Sequence, residues 1–155
     1  MRRFGAIVSS ESQPTVIYKT ADQTVNNSDV LQDDTALILA LTPGVYYFAF
    51  DIWFSTDSTA DFKYTQAYTS TQVARYFINE FIVPTGVSMT RTEVLTTFGA
   101  QTVNGSAGTH GYVRTHGVLE VSGSGNLKLQ WAQGTQNASD TKVLKGSRLS
   151  VYKVS

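Results

Sequence analysis

Residues 113–154 read VRTHGVLEVSGSGNLKLQWAQGTQNASDTKVLKGSRLSVYKV, and this stretch decides the fold class. Within it, Leu127, Leu129 and Trp131 alternate with polar or small residues, and glycine, serine and asparagine turns separate the alternating runs. A period of two predicts strands with one buried face and one wet face. Because a terminal strand frays unless it is tied down, we expect the last run, residues 149–153, to lie inside a sheet.

A second stretch, residues 45–55, reads VYYFAFDIWFS and predicts the central strand of the fold. Its two faces carry Tyr46, Phe48, Phe50, Ile52 and Phe54 on one side and Val45, Tyr47, Ala49, Asp51 and Trp53 on the other. Aromatic and β-branched residues at this density favour a strand packed on both faces. Asp51 must then find a partner or reach solvent.

The rest of the chain reads as short strands between turns, and no stretch has a convincing helical pattern. Strands are predicted at residues 15–20, 37–41, 60–68, 73–83 and 93–98, in addition to the central strand and the three closing strands. Roughly 8–10 antiparallel strands with frequent turns predict an all-β sandwich or barrel. We expect an extended arm over residues 1–13 and a single domain over residues 14–155.

Composition excludes several classes of function. The 155 residues carry no cysteine, 12 basic and 12 acidic residues, and only 15% charged residues in total. There is no basic field for nucleic acid or anionic lipid, and no thiol for a disulfide or a metal site. The start of the chain lacks the apolar core of a signal peptide, so synthesis in a cytoplasm is expected. The weakly charged surface is typical of a protein covered by partners.

Four short motifs resemble the jelly-roll domain of the C1q and tumour-necrosis-factor families, in the form found in bacteriophage structural proteins. They are TPGVYYF at 42–48, HGVLEV at 116–121, LKLQWAQ at 127–133 and GSRL at 146–149. The resemblance covers residues ~14–155 and implies a jelly-roll fold and a homotrimer packed through aromatic faces. Candidate residues for this trimer interface are Tyr64, Tyr68, Tyr76, Phe77 and Trp131, each with core packing as the alternative.

The resemblance leads to a functional hypothesis, a trimeric decoration protein on the surface of a phage capsid that bridges subunits of the major capsid protein. We expect no shaft or coiled coil before the domain, and this expectation favours the capsid over a tail fibre. The arm is expected to bind the capsid through Arg2, Arg3, Phe4, Ile7 and Val8, by strand addition. The alternative is a receptor-binding fibre tip that recognises a host glycan or protein through loops such as 104–108. A secreted C1q-like lectin or cytokine is a third class, disfavoured by the missing signal peptide.

Residues that could carry chemistry are few, and we expect neither an enzyme nor a cofactor. His110 and His116 could meet on a threefold axis around a metal, but no carboxylate stands at ligand spacing. Asp29, Asp33 and Asp34 do not match a calcium loop and are expected to be solvated turn residues. Carboxylate pairs for glycoside hydrolysis can be drawn from Asp51, Asp61, Glu80, Glu93 and Glu120, as from any acidic set.

Overall fold

The computed structural model describes residues 13–83, 88–105 and 109–155, with side chains for 13–77, 95–105 and 110–155. These residues form twelve strands, and none of them lies in a helix that is long and apolar enough to span a membrane. The strands are β1 Thr15–Tyr18, β2 Gln23–Val25, β3 Gln32–Leu41, β4 Gly44–Thr56, β5 Phe62–Tyr68, β6 Gln72–Val83, β7 Ser88–Leu95, β8 Gln101–Val103, β9 Thr109–Val121, β10 Gly125–Gln133, β11 Thr141–Val143 and β12 Arg148–Lys153.

The strands pair in a nested order across two sheets. The wide sheet has the order β1-β12-β4-β9-β6-β7, with β11 and β2 beside the end of β4, and the narrow sheet has the order β3-β10-β5-β8. Early strands pair antiparallel with late ones: β1 with β12, β3 with β10, β4 with β9 and β5 with β8. A ribbon folded back on itself and rolled into two layers pairs in this way. The fold is therefore a jelly-roll β-sandwich.

One hairpin stands outside this nested scheme. Strands β6 and β7 lie in sequence between β5 and β8, and they extend the wide sheet beyond β9. The pairing of β6 with β9 runs from Gln72 opposite Val121 to Val83 opposite His110. The hairpin widens this sheet from four main strands to six, which enlarges the face that the sheet turns away from the core.

The core lies between the sheets and, in the described part of the chain, combines eight buried aromatic side chains with a larger number of aliphatic ones. Phe48, Phe50 and Phe54 of β4 are at most 2% exposed, as their alternation predicts. Phe54 stacks on Phe62 of the narrow sheet, with ring centroids 4.3 Å apart. Trp131 of β10 is fully buried. The predicted burial of one face of the closing strands is confirmed, and β12 lies between β1 and β4.

The number and bounds of several strands differ from the prediction. Three strands of only three residues, β2, β8 and β11, bring the described total to twelve rather than 8–10. Strand β3 starts at Gln32 rather than residue 37, and the strand predicted at 93–98 is β7, Ser88–Leu95. Such short or polar segments are held by neighbouring strands, so no periodicity of their own identifies them.

The prediction for Asp34 is also wrong, because this residue is buried and is not a solvated turn residue. Its Oδ2 accepts hydrogen bonds from Lys19 Nζ at 2.8 Å and from Trp131 Nε1 at 3.2 Å. Its Oδ1 caps the backbone N–H groups of Ala36 and Leu37 at 2.9 and 3.0 Å. Four donors satisfy this carboxylate, so its role is to fix an irregular part of β3 against β10.

Candidate functional site, an exposed aromatic face

The outer face of the wide sheet is aromatic and exposed. Ten large hydrophobic side chains are exposed in the described part of the chain, and eight of them lie on this face. We call this surface the aromatic face; its members are Val16, Tyr18, Tyr47, Trp53, Val73, Phe77, Val118 and Tyr152, together with Tyr112 and His116. Tyr47 is 51% exposed and Trp53 is 45% exposed. Packing of β4 on both faces was expected, but within one chain its second face is open.

Strand register explains how these residues form a continuous surface. Tyr152 of β12 lies opposite Tyr47 of β4, and Tyr47 lies opposite Val118 of β9. The Trp53 and Tyr112 rings are 4.7 Å apart, and the same strands bring them together. Because the side chains of a strand point alternately to its two faces, every second residue of five neighbouring strands, β1, β12, β4, β9 and β6, contributes to this surface.

An ionic cluster lies in the middle of the aromatic face. Asp51 is 5% exposed, and its carboxylate accepts a hydrogen bond from Arg148 Nε at 2.7 Å and one from the Tyr112 hydroxyl. Arg114 Nε lies 3.7 Å from the same carboxylate. Asp51, which was expected to need a partner or solvent, is therefore paired with Arg148, Tyr112 and Arg114. With two guanidinium groups and one carboxylate, the cluster carries a surplus of one positive charge.

These contacts change the acidity of both partners. Burial raises the pKa of Asp51, but the hydrogen bonds from Tyr112 and Arg148 and the two arginine charges outweigh burial and leave the pKa below its ordinary value. Burial, with the hydrogen bond to Asp51, raises the pKa of Tyr112 to about 12. At neutral pH the carboxylate is therefore charged and the phenol is neutral.

The five predicted interface residues do not lie on one surface. Tyr64, Tyr76 and Trp131 are fully buried in the core of the single chain, so the prediction is corrected for them: no surface remains to contact another subunit. Tyr68 is half-buried and donates a hydrogen bond to the Gly123 carbonyl at 2.7 Å. Phe77 is 44% exposed and belongs to the aromatic face. Tyr18, Tyr47, Trp53 and Tyr112 were missed, because alternation shows which residues share a face but not which face is exposed.

The structure does not bring the other candidate site residues together. His116 stacks on Phe77 with ring centroids 5.5 Å apart, whereas His110 lies six residues earlier on β9. Among the described residues, no three His, Cys, Asp or Glu side chains are grouped so that they could hold a metal. The side chains of Glu80 and Glu93, and the arm residues Arg2, Arg3, Phe4, Ile7 and Val8, lie outside the described part, so the arm and its boundary stay predictions.

The outer face of the narrow sheet has a different character. Lys128 and Gln130 of β10 donate hydrogen bonds to Asp33 at 2.7 and 2.8 Å. Lys63 of β5 is half-exposed beside them. This face is polar and suited to water, so the two outer faces of the sandwich differ sharply in chemistry.

Comparison with known proteins finds solved structures similar to this chain but no match by sequence. No protein-family model and no curated protein matches the chain. The Eiger TNF structure from S. frugiperda aligns at 12% identity and a TM-score of 0.35, covering 92% of each chain. Infectious bursal disease virus, Gx strain, aligns at 11% identity and a TM-score of 0.20, over 97% of this chain and 44% of the viral one. The VP2 subviral particle of that virus aligns at 6% identity and a TM-score of 0.22, again over 97% and 44%.

Proposed function

We propose that this protein is a viral structural protein that forms a homotrimer through the aromatic face. As a trimer it decorates the surface of a bacteriophage capsid and bridges neighbouring subunits of the major capsid protein. It acts through contact area alone, without catalysis or a cofactor.

The observation that carries the proposal is the concentration of exposed aromatic side chains on one face. A soluble monomer rarely exposes a contiguous apolar patch larger than a few hundred square ångströms. Tyrosine, tryptophan and arginine are the residues enriched at protein interfaces, and all three occur here. Since the aromatic face spans neighbouring strands, one part of it on each copy can contact a different part of it on the next copy, as a closed threefold interface requires. The number of subunits comes from the resemblance to the C1q and tumour-necrosis-factor families.

The ionic cluster supports a specific partner over a non-specific one. Asp51, Arg114 and Arg148 lie within an apolar surround, where an unmatched charge is costly. A partner surface must therefore bring an acceptor for the surplus arginine or leave it in contact with water. Charged groups in an interface select register and partner more than they add affinity.

A trimer closed through the aromatic face leaves the polar face, the loops and the arm for other partners. In the described part, β1 is an edge strand of the wide sheet, and the arm leads directly into it. Exposed strand edges accept an added strand from a neighbouring chain. Arg2 and Arg3 then have acidic groups of the shell as partners, and Phe4, Ile7 and Val8 have its apolar surface.

Co-sedimentation with empty phage shells tests this function. The full chain should pellet with shells and saturate at a fixed ratio to capsid subunits. A variant lacking residues 1–12 should keep its melting temperature and pellet weakly, because an arm that orders on its partner contributes little to the free domain. If the full chain and the truncated variant pelleted equally with shells, the arm would have no part in capsid binding. Failure of the full chain to bind any shell, with binding to host cells instead, would replace decoration by the fibre-tip function.

A further inference from the structure

The end of the sandwich where β4 finishes carries a second feature, a polar pocket of about 340 Å³. Adjacent strands place three of its side chains in a row: Lys142 of β11 lies opposite Ser55 of β4, and Ser55 lies opposite His110 of β9. Asp57 follows β4, and Ser139 and Asp140 precede β11, so these residues form the walls. The pocket lies beyond the last aromatic pair of the aromatic face.

The walls of this pocket are held in place by hydrogen bonds between different loops. Asn137 Nδ2 donates to Thr59 Oγ1 at 2.9 Å, and Thr135 N donates to the Ala60 carbonyl at 2.9 Å, which joins the β10–β11 loop to the β4–β5 loop. Gly105 N donates to Asp61 Oδ1 at 2.8 Å and ties in the loop after β8. A pocket with preformed walls loses little conformational entropy when it binds a ligand.

The two carboxylates are fixed and charged. Asp57 Oδ1 accepts hydrogen bonds from the Thr59 hydroxyl at 2.7 Å and the Thr59 N–H at 2.9 Å, which lower the pKa of Asp57. Asp140 Oδ1 accepts from Asn26 at 3.1 Å and its Oδ2 lies 3.3 Å from Lys142 Nζ. These contacts lower the pKa of Asp140. Each carboxylate keeps lone pairs that can accept hydrogen bonds from a ligand.

Several polar side chains of the pocket have donors and acceptors that are not used in hydrogen bonds to the protein. Within the described residues, the side chains of Ser55, His110 and Ser139 make no hydrogen bond to the protein. Hydroxyl and imidazole groups both donate and accept, carboxylates accept, and the Lys142 ammonium donates. A ligand that matches this set must offer donors and acceptors side by side on neighbouring atoms, as the hydroxyls of a sugar ring do.

The net charge of the pocket restricts the chemical class of ligand that it can bind. Two carboxylates against one ammonium leave the pocket with net negative charge, which disfavours phosphates and acidic sugars. Among the described residues no set of three ligands could hold a metal, and the polar lining does not suit an apolar molecule. The volume is near the lower limit of the ~300–1,000 Å³ usual for ligand pockets, so one or two sugar rings fill it.

We infer that this pocket binds a neutral saccharide, through Asp57, Asp140, His110 and the hydroxyls of Ser55 and Ser139. This activity is separate from capsid decoration and does not depend on it. In an assembled particle it would give each chain a carbohydrate-binding site at the loop end of the sandwich.

A nuclear magnetic resonance titration of the full chain tests the inference, with lactose, cellobiose, mannobiose and chitobiose as neutral probes and sialyllactose as the charged probe. At least one neutral disaccharide should shift the amide resonances of Ser55, His110 and Ser139 saturably. Asp140→Asn and His110→Ala should each weaken that binding by about tenfold, the effect of losing one good hydrogen bond.

Asp33→Asn is the matched control, because Asp33 is also an exposed aspartate with one lysine and one amide partner. It lies on the polar face away from the pocket and should leave the affinity unchanged. Three results would overturn the inference: no neutral disaccharide shifts the pocket resonances at millimolar concentration, Asp140→Asn and His110→Ala bind as the wild type does, or sialyllactose binds more tightly than lactose.

Discussion

Replacing Trp131 with alanine removes the largest fully buried side chain described in the core. Deleting a buried tryptophan costs about 3–5 kcal/mol through lost burial and the cavity left behind. The indole N–H also donates to Asp34, but Lys19 and two backbone N–H groups still satisfy that carboxylate. The additional loss is therefore modest, and we expect a total of about 4–5 kcal/mol out of a typical stability of about 5–15 kcal/mol.

Trp53→Ala is the matched control, because Trp53 is 45% exposed on the aromatic face. In the isolated chain this substitution should cost about 1–2 kcal/mol, because the half-buried indole packs against the Tyr112 ring. In an assembled protein it should lower stability further only at concentrations where the wild type is oligomeric, since association stabilises the folded state by mass action. The loss in Trp131→Ala should persist at every concentration.

Urea unfolding and thermal unfolding, both followed by far-ultraviolet circular dichroism, measure the two variants across a hundredfold range of protein concentration. For a chain of this size, the loss in Trp131→Ala corresponds to a fall of roughly 8–20 °C in melting temperature. If Trp131→Ala melted within a degree or two of the wild type, the assignment of β10's buried face would be wrong. Equal losses in the two variants at high dilution would show that Trp53 contributes as much as Trp131 to the stability of the single chain, against the difference in their burial.

Three further predictions concern the wide sheet. Gly117→Ala should lower the free energy of unfolding by about 1–3 kcal/mol or more in thermal melts, because the added Cβ would collide with β6 at Arg75 and Tyr76. Gly99→Ala is the control, since the space around Gly99 is open and the free energy of unfolding should not fall. Asp51→Asn should cost about 2–3 kcal/mol at pH 7. Because the pKa of Asp51 is lowered in the fold, its stabilisation is present above the ordinary value of 3.8 and lost as pH falls through the lowered pKa, so urea melts of wild type and variant should converge in acid. Burial and the nearby Arg114 lower the pKa of His116 more than Asp51 raises it, so the free energy of unfolding should fall as pH drops below the ordinary value of 6.5. His116→Gln should make urea unfolding less sensitive to acid in that range.

Much of the fold follows from the period-two alternation in β4, β10 and β12. The alternation in these strands identifies which residues share a face, and the structure buries one of the two faces in each strand. Short strands such as β2 and β11 were missed, because three residues cannot show a period and their pairing depends on distant partners. The nested pairing also depends on contacts between residues far apart in sequence, which the order of strands alone does not determine.

The candidate site shows a sharper limit of sequence reasoning. Tyr64, Tyr76 and Trp131 were candidates for a subunit interface, with core packing as the alternative, and they lie in the core, whereas Tyr47 and Trp53 are exposed. Alternation separates the two faces of a strand but does not say which face meets the opposite sheet. In β4 both faces are aromatic, so only the position of the second sheet decides between them. The pairing of Lys19 with Asp34 has no local pattern at all.

The central claim is that the aromatic face closes a trimer, and sedimentation equilibrium at micromolar concentration tests it most directly. The wild-type chain should have three times its mass of 16.9 kDa. Tyr47→Arg, which places a charge in the middle of the aromatic face, should sediment as a monomer with its fold intact. Gln130→Arg, the same change on the polar face, should remain trimeric. A wild-type protein that sediments as a monomer, or a Tyr47→Arg variant that stays trimeric, would contradict the account.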